Sequence, residues 1–216
     1  MARKAAGRRA GAKDAGARRA QPSDPEAAGI DAALRLAAER GWSNLSLADI
    51  ATEAGVPISD FYRRFATRQA ILNALQRRTD LHVLQSVDED PPEGSRRDRL
   101  FDVLMRRFDA LQPYREGLQA VARASCWDPL ALVCGAAGLS RSMAAMLEAA
   151  GISSAGLPGL LRTHGLAAAY LTAFRVWLRD DTEDKSHTMS ALDRALRRAD
   201  FCLSGMALDR RRATAA

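Results

Sequence analysis

Two short stretches of helical periodicity, separated by a single turn, constrain the fold of this chain more than any other feature. Ser46 stands as a capping residue before the first stretch, and small or apolar residues then recur at helical spacing until Gly55. In the second stretch Phe61 and Phe65 are four residues apart, so both lie on one side of a helix. Glycine allows the unusual backbone angles of a tight turn. The sequence therefore predicts a helix-turn-helix over residues 46–65.

The rest of the chain is also predicted to be helical, because Ala, Leu and Arg dominate while Ile, Val and Thr are sparse. Caps and periodicity predict further helices that begin near Asp24, Thr67, Leu100, Asp128, Leu157 and Met189. A polar stretch at residues 88–94 breaks the pattern and predicts a domain boundary. We expect an all-α protein of about nine helices, with an N-terminal three-helix domain over residues 23–83 and a larger C-terminal domain over residues 95–208.

The net charge of +6 resides at the N-terminus. Residues 1–22 contain seven basic side chains and one acidic side chain, which sum to +6, so the rest of the chain, with 25 basic and 25 acidic residues, is neutral. The segment has three glycines and, after Met1, no bulky apolar residue, so we predict a disordered basic tail. Three interpretations fit its composition: a solubilising segment, an arm that binds phosphate non-specifically, and an organelle transit peptide.

The sequence contains no recognisable pattern of catalytic or metal-binding residues. Cys126, Cys134 and Cys202 have no paired spacing and the three histidines are scattered, so neither a disulfide framework nor a metal site is predicted. There is no catalytic triad, carboxylate pair or phosphate-binding glycine loop, so we expect no enzymatic activity and no cofactor. No apolar run approaches the roughly 20 residues of a membrane span, so we expect a cytoplasmic protein without stable membrane insertion. The acidic residues 180–184 lack the spacing of a calcium loop and are predicted to form a solvated loop.

The second helix of the predicted motif has side chains suited to the major groove of DNA. The groove is about 12 Å wide and admits a helix whose N-terminal side chains reach the base edges. Hydroxyl, phenol and guanidinium groups are common partners of phosphates and bases. Arg68 stands at the start of the next helix, where its charge and the helix N-terminus both attract a phosphate. A purely structural helical hairpin fits the periodicity equally well.

The run LADIATEAGV at residues 47–56, followed by FYRRF at residues 61–65, resembles the signature of the tetracycline-repressor (TetR) family of transcriptional regulators. The similarity extends from about Ser23 to about Val83. It implies a TetR-like fold and a homodimeric repressor that binds a pseudo-palindromic operator in double-stranded DNA and responds to a hydrophobic small molecule. The candidate DNA contacts are Ser46, Ser59, Asp60, Tyr62, Arg63, Arg64 and Arg68.

Two positions depart from the pattern of this family. Pro57 stands where the family often has a serine that caps the recognition helix, and Asp60 stands where a threonine is frequent. A carboxylate is repelled by phosphates, although it can accept a hydrogen bond from the amino group of cytosine. Both departures therefore bear directly on specific DNA binding.

The C-terminal half carries a second resemblance. Residues 107–115, 176–181 and 188–193 resemble the accessory lipid-binding proteins of ubiquinone biosynthesis, which share the TetR architecture. This resemblance implies a hydrophobic ligand cavity and an alternative function, that of a lipid-binding accessory protein with a vestigial helix-turn-helix. The helix at residues 157–178 is apolar on most sides and is predicted to be buried between its neighbours. The candidate pocket residues are Phe108, Met143, Leu147, Leu161, His164, Leu171 and Phe174. His164 also fits the pattern of an ordinary core histidine.

A stripe of apolar residues runs along the last predicted helix. Its members recur at steps of three and four, namely Met189, Leu192, Leu196, Ala199, Leu203 and Met206. The resemblance to the TetR family implies that part of this stripe pairs with its own copy across a two-fold axis, in a four-helix bundle. The candidate dimer-interface residues are Leu192, Leu196 and Leu203.

Overall fold

The computed structural model describes residues 22–125 and 129–213, and it places the side chains of residues 22–124 and 135–199. Within these residues the chain forms nine α-helices and two short 3₁₀-helices and contains no strand, which confirms the predicted all-α fold. No helix in this described part is long and apolar enough to cross a membrane. The predicted basic tail, apart from Pro22, lies outside the described residues.

Helix α4 connects two groups of helices. The N-terminal elements are α1 (Pro25–Arg40), a 3₁₀-helix (Trp42–Asn44), α2 (Leu47–Glu53), α3 (Ile58–Arg64) and α4 (Arg68–Glu89). The C-terminal elements are α5 (Arg96–Leu111), a 3₁₀-helix (Gln112–Tyr114), α6 (Arg115–Ser125), α7 (Pro129–Ala149), α8 (Gly156–Trp177) and α9 (Ser186–Ala213). Helices α1, α2 and α3 contact one another, while α5, α7, α8 and α9 form the C-terminal bundle. Because α4 packs against α1 and also against α5 and α7, it belongs to the packing of both groups.

Side-chain caps fix the starts of three predicted helices. The Asp24 carboxylate accepts hydrogen bonds from two backbone N–H groups in the first turn of α1, at 3.0 and 3.1 Å. Ser46 caps α2 in a capping box with Asp49. Thr67 caps α4 by accepting a hydrogen bond from Ala70 N at 3.1 Å. The predicted starts of α1, α2 and α4 are therefore confirmed.

The N-terminal helices pack around two aromatic rings, one in α3 and one at its C-cap. Phe61 and Phe65 are buried, with ring centroids 5.1 Å apart. Helix α1 approaches these rings at Gly29, where a Cβ atom would stand 2.8 Å from Phe65 and 2.9 Å from Phe61. Only glycine fits here without rearrangement, because these distances are shorter than an ordinary contact between carbon atoms. The close approach fixes the rotation of α3 about its own axis.

Helix α6 joins the C-terminal region to α1. The sequence pattern does not predict this helix, because Pro113 suggests a stop, whereas the chain makes one 3₁₀ turn there and continues. A Cβ atom on Gly117 would lie 2.4 Å from the carbonyl oxygen of Leu34, so the two helices touch through their backbones. Nearby, the Tyr114 hydroxyl donates a hydrogen bond to Asp31 Oδ1 at 2.9 Å. A shift of α6 would therefore act directly on α1.

A buried polar network ties α4 to three helices of the C-terminal region. Arg107 of α5 is 1% exposed, and its guanidinium donates a hydrogen bond to the Asp80 carboxylate of α4. Ser142 of α7 donates to the same carboxylate at 2.7 Å, and the guanidinium lies 5.4 Å from the ring centre of Tyr170 on α8. Burial disfavours the charge, but Tyr170 and Asp80 outweigh this effect and raise the pKa of Arg107. Loss of one partner would leave a buried charge unpaired, so the network holds α4 against the bundle.

The acidic segment after α8 differs from the predicted solvated loop at its first residue. Asp180 is buried, and its carboxylate accepts hydrogen bonds from the backbone N–H and the hydroxyl of Thr188, at 2.7 and 2.6 Å. The N–H and hydroxyl of Thr182 donate to the other carboxylate oxygen. Burial raises the pKa of Asp180, but these hydrogen bonds outweigh burial and hold the pKa well below its usual range. Asp180 thereby caps the first turn of α9.

Helix α9 packs on α5 and α8 of the same chain, and this placement differs from the predicted dimer interface. Leu192 and Leu196 are buried in the core. Their side chains are already covered within one chain, so they are not available to a second copy. The Leu203 side chain lies outside the described residues. Helical periodicity identifies the apolar face of α9 but cannot say which neighbour covers it.

Helix α8 is buried on one face only, which differs from the prediction that its neighbours enclose it. Leu157, Leu160, Leu161 and Leu171 are exposed over 74%, 51%, 42% and 41% of their surfaces. At about 100° per residue these four leucines fall on a single stripe, with His164 between them. The buried face of α8 packs against α7 and α9. The described residues therefore leave an apolar face of α8 in contact with solvent.

We expect Gly29→Ala to lower the free energy of unfolding, because the new methyl group would overlap the Phe61 and Phe65 rings. Overpacking of this kind costs about 1–3 kcal/mol, whereas alanine at an unhindered helix position gains roughly 0.5–1 kcal/mol over glycine. Gly135→Ala in α7 is the control, since in the described structure no other element has an atom within 4 Å of the place its Cβ would take. Urea unfolding followed by circular dichroism should give changes of opposite sign. A gain in both variants would contradict the packing of α1 on α3.

Candidate nucleic-acid interface

Helix α3 presents one face to solvent. Phe61 and Phe65 are buried, so at about 100° per residue Arg63 points most directly away from the core. Ser59 and Asp60, one turn earlier, lie on either side of Arg63. Ser59 and Arg63 are exposed, and Asp60 is partly exposed. A helix held in this way has the shape of an element that enters the major groove.

The turn between α2 and α3 is fixed by its backbone. Gly55 has φ +67°, a conformation that side chains rarely adopt, and this confirms its predicted role in the turn. Val56 is buried, and its N–H donates a hydrogen bond to the Ala51 carbonyl at 3.0 Å. These contacts set the angle between α2 and α3.

Helix α3 begins at Ile58, and its N-cap residue Pro57 provides no side-chain cap in the described structure. The Pro57 carbonyl accepts hydrogen bonds from Asp60 N and Phe61 N at 3.0 and 2.9 Å, so the first turn still closes. Ile58, the first residue of α3, is 51% exposed. Ile58 is absent from the predicted DNA contacts, although its position next to Ser59 at the start of the second helix was a usable signal.

An ion pair occupies the centre of the exposed face of α3. Arg63 Nη2 donates a hydrogen bond to Asp60 Oδ1, one turn back along the helix. The Arg63 side chain is 76% exposed and the Asp60 side chain is 33% exposed. The guanidinium offsets the charge of the carboxylate, so the departure from the family at Asp60 does not leave an uncompensated anion.

Tyr62 and Arg64 lie on the two flanks of this face. Tyr62 is 59% exposed, and Arg64 is also exposed. When a helix lies in a groove, side chains on its flanks face the sugar–phosphate strands, whereas those at its centre face the bases. The structure thus brings five predicted contacts together on α3 and separates them into a central group and two flanking residues.

The remaining two predicted contacts have structural partners. The Ser46 hydroxyl donates to Asp49 Oδ2 at 2.5 Å and accepts a hydrogen bond from Asp49 N at 3.1 Å. Arg68 donates to the Trp42 carbonyl, and its guanidinium carbon lies 5.6 Å from the centre of the Trp42 ring. These contacts within the chain account for the placement of both side chains in the absence of DNA. The role of Ser46 and Arg68 in DNA binding therefore stays a prediction.

The seven predicted pocket residues are divided in the structure between the core and an exposed face of α8. The members buried in the core are Phe108, Met143 and Leu147. Phe174 is partly buried, with its ring centroid 5.7 Å from that of Tyr170 and 5.3 Å from that of Trp177. The members on the exposed face of α8 are Leu161, His164 and Leu171. The prediction treats α8 as apolar on most sides, and the structure divides its residues between a buried and an exposed face.

A separate open cleft of about 320 Å³ lies between α5 and α9. Its lining residues are Arg97, Asp98, Phe101, Met189, Ser190 and Asp193. This charged lining differs from the predicted apolar pocket. Within residues whose side chains are placed, no group of three His, Cys, Asp or Glu residues could hold a metal ion.

Comparison with known proteins agrees with this geometry. Residues 30–75 match the family described as bacterial regulatory proteins, tetR family. The fold is similar to that of a TetR transcriptional regulator from Nitrosomonas europaea ATCC 19718, with 25% identity and a TM-score of 0.68 over 82% of this chain and 99% of that chain. A TetR transcriptional regulator from Rhodococcus sp. RHA1 gives 22% identity and a TM-score of 0.59, over 81% of this chain and 94% of that chain. A search of curated proteins gives no match.

The sequence match and the fold similarity support each other. The matched residues 30–75 contain α2, the turn and α3, which carry the candidate interface. The similarity to the Nitrosomonas europaea protein extends through most of the chain and so includes the C-terminal bundle. These findings favour a transcriptional regulator over a lipid-binding accessory protein of ubiquinone biosynthesis. Residues 30–75 therefore form a helix-turn-helix domain that matches the TetR family of bacterial regulatory proteins, and the chain as a whole has the fold of TetR transcriptional regulators.

Proposed function

We propose that this protein is a cytoplasmic repressor that binds a pseudo-palindromic operator as a homodimer and releases it when a hydrophobic small molecule binds. The observation that carries the proposal is the exposed face of α3. Phe61 and Phe65 hold this face outward, and it presents a hydroxyl, a phenol and two guanidinium groups. Such groups are the usual partners of base edges and phosphates.

The test of this function is repeated selection of bound sequences from a pool of random duplex DNA. The full chain should enrich one pseudo-palindromic sequence, since a dimer places two copies of α3 on the duplex. The double variant Tyr62→Ala, Arg64→Ala is the matched control, because both side chains are exposed and their removal leaves the core intact. Enrichment by the full chain and not by the control supports the proposal. No enrichment by the full chain would favour the lipid-binding alternative.

Arg64→Ala should weaken binding to specific and random duplexes alike, because a phosphate contact carries no direct base information. Loss of one phosphate contact should reduce the slope of log affinity against log salt concentration by about 0.9. Arg179→Ala is the control, since it removes an exposed arginine from the end of the C-terminal bundle. Fluorescence anisotropy at several salt concentrations measures both slopes. An unchanged slope for Arg64→Ala would exclude Arg64 from phosphate binding.

We also propose that the open stripe of α8, defined as Leu157, Leu160, Leu161, His164 and Leu171, forms the dimer interface. Large exposed apolar side chains in the described structure otherwise occur at Ile58, Tyr62 and Leu81, so the four leucines of α8 are their main concentration. A contiguous apolar patch of this kind is typical of a protein–protein contact. A two-fold axis through the stripe would pair it with its own copy, since an isologous contact uses the same surface twice.

Leu161→Arg should convert the dimer to a monomer while the helical circular dichroism is retained. The substitution would place two unpaired guanidinium groups in one apolar interface, and burial of unpaired charge is costly. Light scattering measures the mass, and operator affinity should fall with dimerisation. Leu81→Arg is the surface control, because Leu81 is 59% exposed on α4 and lies off the stripe.

Leu192→Arg distinguishes this interface from the one predicted on α9. Leu192 is 0% exposed within a single chain, so the charge would disrupt the core and cost more than about 4 kcal/mol of stability. If instead Leu192→Arg stays folded and becomes monomeric while Leu161→Arg remains a dimer, the α8 interface is wrong.

Control by a hydrophobic effector is the third part of the proposal. The core around Phe108, Met143 and Leu147 packs against α4, which leads directly from α3. A ligand that separates α4 from this core would change the position of α3. Operator affinity would then fall by at most the ratio of the ligand's affinities for the altered and the operator-binding conformations. A thermal-shift screen of fatty acids, isoprenoids and aromatic compounds should find one that raises Tm and weakens operator binding. If every stabilising compound leaves operator affinity unchanged, effector control fails.

A further inference from the structure

We infer that the Asp60–Arg63 ion pair of α3 reads a guanine–cytosine base pair in each half of the operator. The inference rests on the proposed function and adds to it the base chemistry that this chain selects. Asp60 is the residue that departs from the family pattern, and the structure pairs it with the outermost side chain of the same helix. The pair therefore replaces whatever a threonine would contact at this position.

The pair lies where base edges would be. Arg63 points directly away from the buried Phe61 and Phe65, and Asp60 stands one turn closer to the helix N-terminus. Tyr62 and Arg64 flank the pair on either side, which is the position of the phosphate strands around a helix in the major groove. Base recognition at the centre of α3 thus falls to Asp60 and Arg63, with Ser59 beside them.

The hydrogen-bonding groups of the pair match one base pair in particular. In the major groove guanine offers two acceptors, N7 and O6, and cytosine on the opposite strand offers the N4 amino donor beside them. A guanidinium has five N–H donors, so Arg63 can hold Asp60 and still donate two hydrogen bonds to guanine. A carboxylate only accepts, so the second oxygen of Asp60 suits the cytosine amino group. Thymine and adenine do not offer two adjacent acceptors followed by a donor.

Electrostatics also favours recognition of the base pair by Asp60 and Arg63 together. A lone carboxylate approaching DNA is repelled by the phosphates on both strands, and this repulsion would lower affinity for every sequence. Arg63 cancels the charge of Asp60, so the pair enters the groove as a neutral unit with both donors and acceptors. Asp60 also lies in the first turn of α3, where the helix dipole favours an acidic side chain. The contact already made in the free protein means that little further ordering is needed on binding.

The experiment uses the full chain and the duplex enriched by selection, in which every half-site should contain a G·C pair at one position. Replacing that guanine with 7-deazaguanine removes the N7 acceptor, and we expect wild-type affinity to fall at least about fivefold. Arg63→Ala removes the donors to guanine, so it should bind the normal and the modified duplex equally. Replacing the cytosine with N4-methylcytosine should weaken wild type and leave Asp60→Ala unaffected.

Arg64→Ala is the matched control for these measurements. It should bind both duplexes more weakly than wild type but keep the full loss on 7-deazaguanine substitution, because a phosphate contact does not sense the base. Asp60 and Arg63 are surface residues, and circular dichroism verifies that their variants are folded. A 7-deazaguanine placed outside the half-sites should have no effect on any variant.

The outcomes separate this inference from the function on which it rests. An enriched palindrome without a common G·C pair, or equal wild-type affinity for normal and modified duplexes, overturns reading by the pair and leaves the regulator function intact. The ion pair would then be an ordinary surface salt bridge. Failure to enrich any duplex overturns the proposed function and the inference together. Enrichment with residue-specific loss at the modified bases supports both.

Discussion

The contact of Gly29 with the rings of Phe61 and Phe65 is the constraint on which the candidate interface depends. A helix as short as α3 has little stability of its own and takes its orientation from the residues it buries. Here two aromatic rings fit beneath a helix that has no side chain at the point of contact. The side of α3 that faces the core is thereby fixed, and with it the side that faces solvent. Recognition chemistry on the outer face follows from a packing contact on the inner face.

The same N-terminal helices are joined to the C-terminal bundle at two places. Helix α6 touches α1 through the backbone at Gly117 and Leu34. Helix α4 is held by the buried Asp80–Arg107 pair, to which Ser142 also donates. Neither contact contains water-exposed flexible side chains, so both transmit movement of the bundle rather than absorb it. A change in the bundle that moves α4 relative to α6 would alter the position of α3, which is the requirement for an effector-responsive repressor.

Sequence patterns predict most of the helices correctly, but they do not predict as well which helices contact one another. The caps at Asp24, Ser46 and Thr67 are local, so they could be predicted from a few adjacent residues. The apolar stripe of α9 was also visible, but periodicity does not say whether Leu192 meets the same chain or a second copy. The Asp60–Arg63 contact required the rotamers of two side chains, and the buried Arg107 network joins residues far apart in sequence. Long-range pairings of this kind leave no periodic signal.

The most direct test of a dimer that places two copies of α3 in successive major grooves is a hydroxyl-radical footprint on the selected duplex. Two-fold symmetry predicts two protected tracts on one side of the DNA, with half-site centres about 10–10.5 base pairs apart or a multiple of that spacing. Tyr62 and Arg64 would account for protection of the strands beside each groove. Paired tracts at this spacing are the result we expect. A single protected tract, or protected tracts whose spacing does not match the helical repeat of DNA, would contradict recognition by two copies of α3.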